Sequence, residues 1–250
     1  MTFVDLLSRP RPPLGSWLMS GSPDIAEAMA TRDFDFLVID MEHVPVAPAT
    51  VVHMARAIEA RGKVPVVRTA DHDPATIRWM LDMGLGALMV PMVDTPAEAA
   101  ALVSIMDYPP NGRRGFAAML RANAYNSDPS YFAEARSRIT FIAQLETPAA
   151  LDALEEVAAV PGVDALFVGP GDISATTGHL GDATGAPTLD LIRDAAGRAS
   201  RAGIPIGTVM PRPDLVRDML AAGCGFAAVG SDLGLLTAAA ETAIKNVRGS

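Results

Sequence analysis

FIAQLE at residues 141–146 and ALFVGPGDIS at residues 165–174 flank about twenty residues of helical character. Each apolar run is short and lacks polar alternation, the pattern of a strand buried on both faces. Each run leads to a carboxylate, Glu146 and Asp172. If the runs are neighbouring parallel strands with a helical crossover, both acids stand at one edge of one sheet. Two oxygen ligands aimed at one point are what a hard divalent cation takes.

The same unit recurs on either side. Apolar runs at 14–20, 36–40, 64–69, 87–93, 140–146, 165–169, 205–210 and 226–230 alternate with amphipathic stretches. Eight such units predict a (β/α)8 TIM barrel, with residues 1–250 as a single domain. Helix starts are marked by Ser22-Pro23, Asp73-Pro74, Thr95-Pro96 and Thr147-Pro148, each a cap followed by Pro at the first helical position. Glu98 completes a capping box with Thr95. Gly62, Gly84, Gly203 and Gly223 stand where a helix terminates. Residues 235–247 read as a last helix. Two segments break the rhythm. Residues 107–138 follow a helix, which assigns them to the catalytically idle face, yet they are long enough to cross back. Residues 179–188, Gly-rich and following the sixth strand, read as a lid on the substrate side.

Composition narrows the classes. The net charge is -9 with no basic cluster, which argues against a nucleic-acid partner. No apolar run reaches the length of a membrane span. One cysteine, Cys224, excludes an internal disulfide and suits a reducing compartment. The opening MTFVDLLSRPRPPLG has no long apolar core, so no signal peptide is expected and a cytoplasmic protein is.

Barrel chemistry gathers at the C-terminal strand ends. Those ends carry Asp40, Glu42 and His43 on the second strand and Arg68 on the third. The fifth carries Gln144 and Glu146, the sixth Gly169-Pro170-Gly171-Asp172, and the eighth Asp232. Gln144 and Glu146 are two apart and so face the same side. Each residue has a bland reading. Glu146 could offset a helix N-terminus, Asp172 could cap a turn, and His43 could bond backbone. Arg68 could pair with Asp40 or Glu42. The set together points to Mg²⁺ or Mn²⁺ rather than zinc. His43 then reads as a general base, and Arg68 as a fixed cation for a developing negative oxygen. Lys63 and Lys245 are misplaced for a Schiff base, which favours the metal route.

At these residues the chain resembles the HpcH/HpaI aldolases, metal-dependent class II pyruvate aldolases of the phosphoenolpyruvate/pyruvate barrel superfamily. The matching pieces are LVIDMEHVP, PVVR, ALMVPMV, YPPNGRRG, QLET and FVGPGDIS, in the family's order and spacing. The resemblance implies reversible cleavage of a 4-hydroxy-2-oxo acid into an aldehyde and pyruvate, or an analogue such as hydroxypyruvate, through an enolate. Glu146 and Asp172 match the ligands of Mg²⁺, Mn²⁺ or Co²⁺, with Gln144 beside them. Arg68 matches the enolate-stabilising arginine and His43 the base. Asp82 matches an aspartate that orients that histidine from an adjacent subunit. The amides of Gly171 and Asp172 match a cradle for the substrate carboxylate. The resemblance also implies a hexamer, with the last helix packed on a neighbouring subunit. The chain departs from many members at Met41, where Gly precedes Glu-His, and at Phe116-Ala117, where Val-Gly is common. Citrate-forming or decarboxylating chemistry, and a non-catalytic barrel that binds 2-oxo acids, are the rival readings.

Overall fold

The computed structural model describes residues 1–249. Its strands are β1 (Leu14–Leu18), β2 (Phe36–Asp40), β3 (Val64–Arg68), β4 (Ala87–Val90), β5 (Thr140–Leu145), β6 (Ala165–Val168), β7 (Ile206–Met210) and β8 (Phe226–Ser231). All pair in parallel and in chain order, and β8 closes on β1. The predicted (β/α)8 TIM barrel is the observed fold.

Helix α1 (Phe3–Leu7) precedes the barrel, and α2 (Pro23–Ala30), α3 (Pro48–Glu59), α4 (Pro74–Asp82) and α5 (Pro96–Met106) follow the first four strands. A short α6 (Tyr131–Glu134) runs into a 3-10 turn before β5. Then come α7 (Pro148–Asp152), α8 (Leu154–Ala158), α9 (Pro170–Thr176), α10 (Ala186–Ala202), α11 (Pro213–Ala221) and α12 (Asp232–Arg248). The expected caps form. Ser22, Asp73, Thr95 and Thr147 each accept a backbone N–H of the first turn, and Thr95 and Glu98 make a reciprocal box. Gly203 ends α10 at φ 74°, a left-handed conformation that a Cβ would penalise.

Two apolar layers hold the barrel. The outer one packs helices on strands, as Met54, Ile58, Ile77 and Leu102 do against Leu37, Ile39 and Leu88. The inner one fills the barrel with Trp17, Phe36, Met89, Ile142, Phe167 and Phe226. Phe3 of α1 plugs its lower end, edge-on to Phe36 at 5.1 Å and to Phe226 at 5.2 Å. Burying such a ring is worth about 1.5–3 kcal/mol. Gly15 and Gly207 leave the space that the rings of Phe36 and Phe226 occupy.

Two strands end two or more residues before their apolar runs do. β1 stops at Leu18 because the Met19 and Ser20 amides turn to the Asp232 carboxylate, at 2.7 and 3.1 Å. β4 stops at Val90 because Met92 adopts a left-handed φ of 54°. Residues 107–138 stay outside the barrel wall, tied to α4 and α5 by Ala122 N–H to Asp82 O (3.1 Å) and Arg113 N–H to Ser104 O (2.7 Å). Residues 233–249, nearly all of α12, are exposed. Among the described residues, no helix is long and apolar enough to cross a membrane.

Candidate active site

A chamber of about 630 Å³ opens at the C-terminal ends of the strands. His43, Arg68, Gln144, Glu146, Gly171 and Asp172 all line it. The barrel's in-order closure explains this meeting of residues far apart in sequence. Asp40 lies directly beside Arg68 across β2–β3, and Leu145 beside Val168 across β5–β6. Glu146 and Gly169, one residue further on, therefore leave the barrel side by side.

Arg68 is buried, and its bland reading is correct as far as it goes. Its Nε and Nη2 donate to the two Asp40 oxygens at 2.9 and 2.7 Å, a bidentate pair. Nη1 lies 2.7 Å from Glu42 Oε2. The pairing does not withdraw the guanidinium, which still borders the chamber with Trp17 beneath it at 5.5 Å. Asp40 does more than pair. Its Oδ1 also accepts the Glu42 amide at 3.0 Å, which shapes the turn that presents His43. Burial raises the Glu42 carboxyl above the usual range, against the lowering pull of Arg68. The His43 ring is largely exposed, with Nε2 3.9 Å from Glu42 Oε2.

Glu146 is buried, although it carries a carboxylate. Gln144 Nε2 donates to Oε1, and the Met92 amide donates to Oε2 at 3.1 Å. The left-handed φ of Met92 is thus where an uncommon backbone conformation serves a polar contact. Burial pushes the Glu146 carboxyl up to about 8. The negative charges of Asp172 and Glu42 add to the rise, and the bonds from Gln144 and Met92 oppose it. Gly169 makes the room: a Cβ there would stand 2.5 Å from Glu146 Oε1. Asp172 sits in the first turn of α9, which has no side-chain cap.

The donor set fits a hard divalent cation. Two carboxylates border one chamber, the charge of Asp172 adds to the proton affinity of Glu146, and the Gln144 Oε1 beside them is buried without a donor. No group of three His, Cys, Asp or Glu converges among the described residues. Such a cation would take two carboxylates and leave its other positions to water and substrate.

Asp82 is not in this chamber. It ends α4, at the far end of that helix from the strand termini, and accepts from Arg114 Nη2 at 2.8 Å. Asp232, noted as a strand-end acid, is a brace for the β1–α2 loop, binding Ser20 Oγ at 2.6 Å. The 179–188 segment reaches the chamber through Ala183 and Thr184. None of residues 107–138 lines it. No lysine lines it either. Trp17 and Met92 carried no signal in the sequence. Asp40 did, as the last residue of β2, but only as a partner for Arg68.

Comparison with known proteins places the chain in a family. The family model described as HpcH/HpaI aldolase/citrate lyase matches residues 14–239. A 2-dehydro-3,6-dideoxy-6-sulfogluconate aldolase of Pseudomonas putida is 43% identical over 98% of this chain and 96% of its own. A hydroxypyruvate/pyruvate aldolase of Chromohalobacter salexigens is 40% identical over 94% and 93%. The crystal structure of a family protein from Burkholderia cenocepacia superimposes with a TM-score of 0.93 at 35% identity, covering 97% of each chain. This chain belongs to the HpcH/HpaI aldolase/citrate lyase family.

Proposed function

We propose that the chain is a divalent-cation-dependent aldolase that cleaves a 4-hydroxy-2-oxo acid to an aldehyde and pyruvate, or hydroxypyruvate. The aldolase names of its relatives support pyruvate release. The observation that carries the reading is the convergence of Glu146 and Asp172 with Arg68 and His43 on one chamber. Glu146 and Asp172 would hold Mg²⁺, Mn²⁺ or Co²⁺. When bound, that cation supplies Lewis acidity toward the keto oxygen.

The other steps belong to the chain. The Gly171 and Asp172 amides, in the uncapped first turn of α9, receive the substrate carboxylate. Gln144, its Oε1 without a donor, accepts a hydroxyl or water proton beside that acid end. His43 accepts the proton of the 4-hydroxyl as the C3–C4 bond breaks. The bond's electron pair passes to the C2 oxygen, giving the enolate of pyruvate, and Arg68 offsets that negative charge. Asp40 keeps the guanidinium in place, so no reorganisation is needed when the charge appears. Return of the proton to C3 yields pyruvate.

Assembly is part of the same reading. Asp82 can orient His43 only from an adjacent subunit, since in its own chain it lies elsewhere. Helix α12 exposes Leu233, Leu235, Leu236, Ile244 and Val247 along its length. An apolar groove of about 350 Å³, bordered by Leu14, Val216, Leu220 and Val229, lies open beside α11 and β8. Both features suit a homo-oligomer, proposed as a hexamer in which α12 packs on a neighbour.

The test is chelation. After metal removal, cleavage should be lost, and added Mg²⁺, Mn²⁺ or Co²⁺ should restore it. Full turnover in the chelated protein would overturn the proposal.

A further inference from the structure

On the outer surface of the α4–α5 pair lies a small cavity of about 120 Å³, lined by Pro74, Arg78, Ile105, Arg113, Arg114 and Gly115. Three guanidinium-bearing residues border it and no carboxylate does. That is anomalous in a chain of net charge -9. Like charges drawn together repel one another unless an anion sits between them.

Arg114 forms the floor and is only 2% exposed. Its Nη2 donates to Asp82 Oδ1 at 2.8 Å and to the Tyr131 hydroxyl at 3.1 Å. Its flat face lies over the Tyr108 ring at 4.6 Å. The remaining donors, Nε and Nη1, are buried with no acceptor. Buried charged donors are rarely left so, because they have lost water and gained nothing in return. Asp82 and Tyr131 occupy one edge of the fork, and the orphaned edge is the one that needs a ligand.

Arg78 and Arg113 form the rim. Both are exposed, and neither makes a salt bridge or donates a side-chain hydrogen bond among the described residues. Gly115 brings the backbone up against Arg78, where a Cβ would meet Arg78 Cδ at 3.4 Å and Nη1 at 3.7 Å. Arg78 belongs to α4, whereas Arg113, Arg114 and Gly115 belong to the 107–138 segment. One ligand in this cavity would therefore touch both.

We propose that the cavity binds a small oxyanion of the phosphate or sulfate class, which fastens the 107–138 segment to α4. Guanidinium groups arranged around one point suit a tetrahedral anion with three or four acceptor oxygens better than a two-oxygen carboxylate. The site lies outside the catalytic chamber and shares no lining residue with it. Its floor residue Arg114 also holds Asp82, so the site borders the subunit contact proposed above for His43.

The experiment uses the full chain after metal removal, so that phosphate has no cation to bind at the chamber. Inorganic phosphate and a phosphate monoester are titrated in parallel by calorimetry and by thermal unfolding, with sodium chloride at equal ionic strength as control. Saturable binding of either, with a rise in Tm beyond that given by chloride, is expected, and the tighter of the two names the source. The double variant Arg78→Ala/Arg113→Ala keeps exposed positions exposed and so keeps the fold. It should weaken binding by about tenfold or more while leaving the circular dichroism spectrum unchanged. Absence of binding by both probes, or binding that the double variant retains in full, overturns the proposal.

Discussion

Replacing Glu146 by Gln tests the electrostatics of the chamber without relying on turnover. The Glu146 carboxyl titrates near its ordinary value of 4.5 in the unfolded chain, and burial pushes it up to about 8 in the fold. Between those two pH values the folded chain holds a proton that the unfolded chain has released. The metal-free protein must therefore lose stability as pH rises through that window. The slope from this group is at most about 1.4 kcal/mol per pH unit. From pH 5.5 to 7.5 the loss is at most about 2.7 kcal/mol, or several degrees of Tm. Gln has the shape of Glu but cannot accept from both the Gln144 amide and the Met92 N–H, so it costs about 1–3 kcal/mol at every pH. The readout is consequently the slope and not the level. Urea unfolding of both metal-free proteins at the two pH values supplies it. Other titrating groups act on both proteins and cancel in the difference to first order. A flatter pH dependence in Glu146→Gln is expected. Equal slopes in the two proteins would refute a proton held at Glu146. The same proton predicts that Mg²⁺ affinity rises with pH below about 8, since binding must displace it.

Other consequences are more direct. Gly169→Ala places a Cβ 2.5 Å from Glu146 Oε1 and must displace the carboxylate; Mn²⁺ affinity by calorimetry should fall about tenfold or more with the fold intact, and unchanged affinity would remove Glu146 from the cation site. Arg68→Lys keeps a charge but loses the bidentate bond to Asp40 and the contact with Glu42; kcat/KM should drop by roughly 10² or more, and near-native kinetics would exclude Arg68 from charge stabilisation. Leu236→Glu combined with Ile244→Glu should lower the mass seen in sedimentation, and an unaltered assembly would take α12 out of the interface.

Most of the barrel was legible because strand and helix signals agreed. The run at 64–69 is apolar on both faces, and Asp73-Pro74 caps the helix that follows it. Propensity and capping thus marked the same boundary independently. The two larger errors lie at the ends of β1 and β4, and both have one cause. Met19, Ser20 and Met92 leave the ladder to bond side-chain carboxylates, Asp232 and Glu146, that are distant in sequence. A local pattern holds no information about such a partner. The 107–138 segment was ambiguous for the same reason. Its course depends on Asn123, buried and bonded to Leu120, Asn126 and Ala118, and on contacts with α4.

The residues that meet at the chamber were legible through topology and not through any motif taken alone. Once the strands are in order, every strand-end residue has a known neighbour, and Arg68 must stand beside Asp40. What topology does not settle is whether a paired arginine is spent. The sequence offered pairing and function as alternatives for Arg68, and the geometry makes them compatible, since the paired guanidinium still borders the chamber. A guanidinium has three nitrogens, and here Asp40 takes Nε and Nη2 while Glu42 stands at Nη1. Asp40 is fully buried, so its hold on the fork is rigid and costs the substrate nothing when it binds. Glu42 is partly exposed, and burial already raises its affinity for a proton. It is the contact that an incoming oxyanion can displace. On the proposed mechanism the same arginine is structural at one edge and available at the other, the division that a preorganised electrostatic site requires.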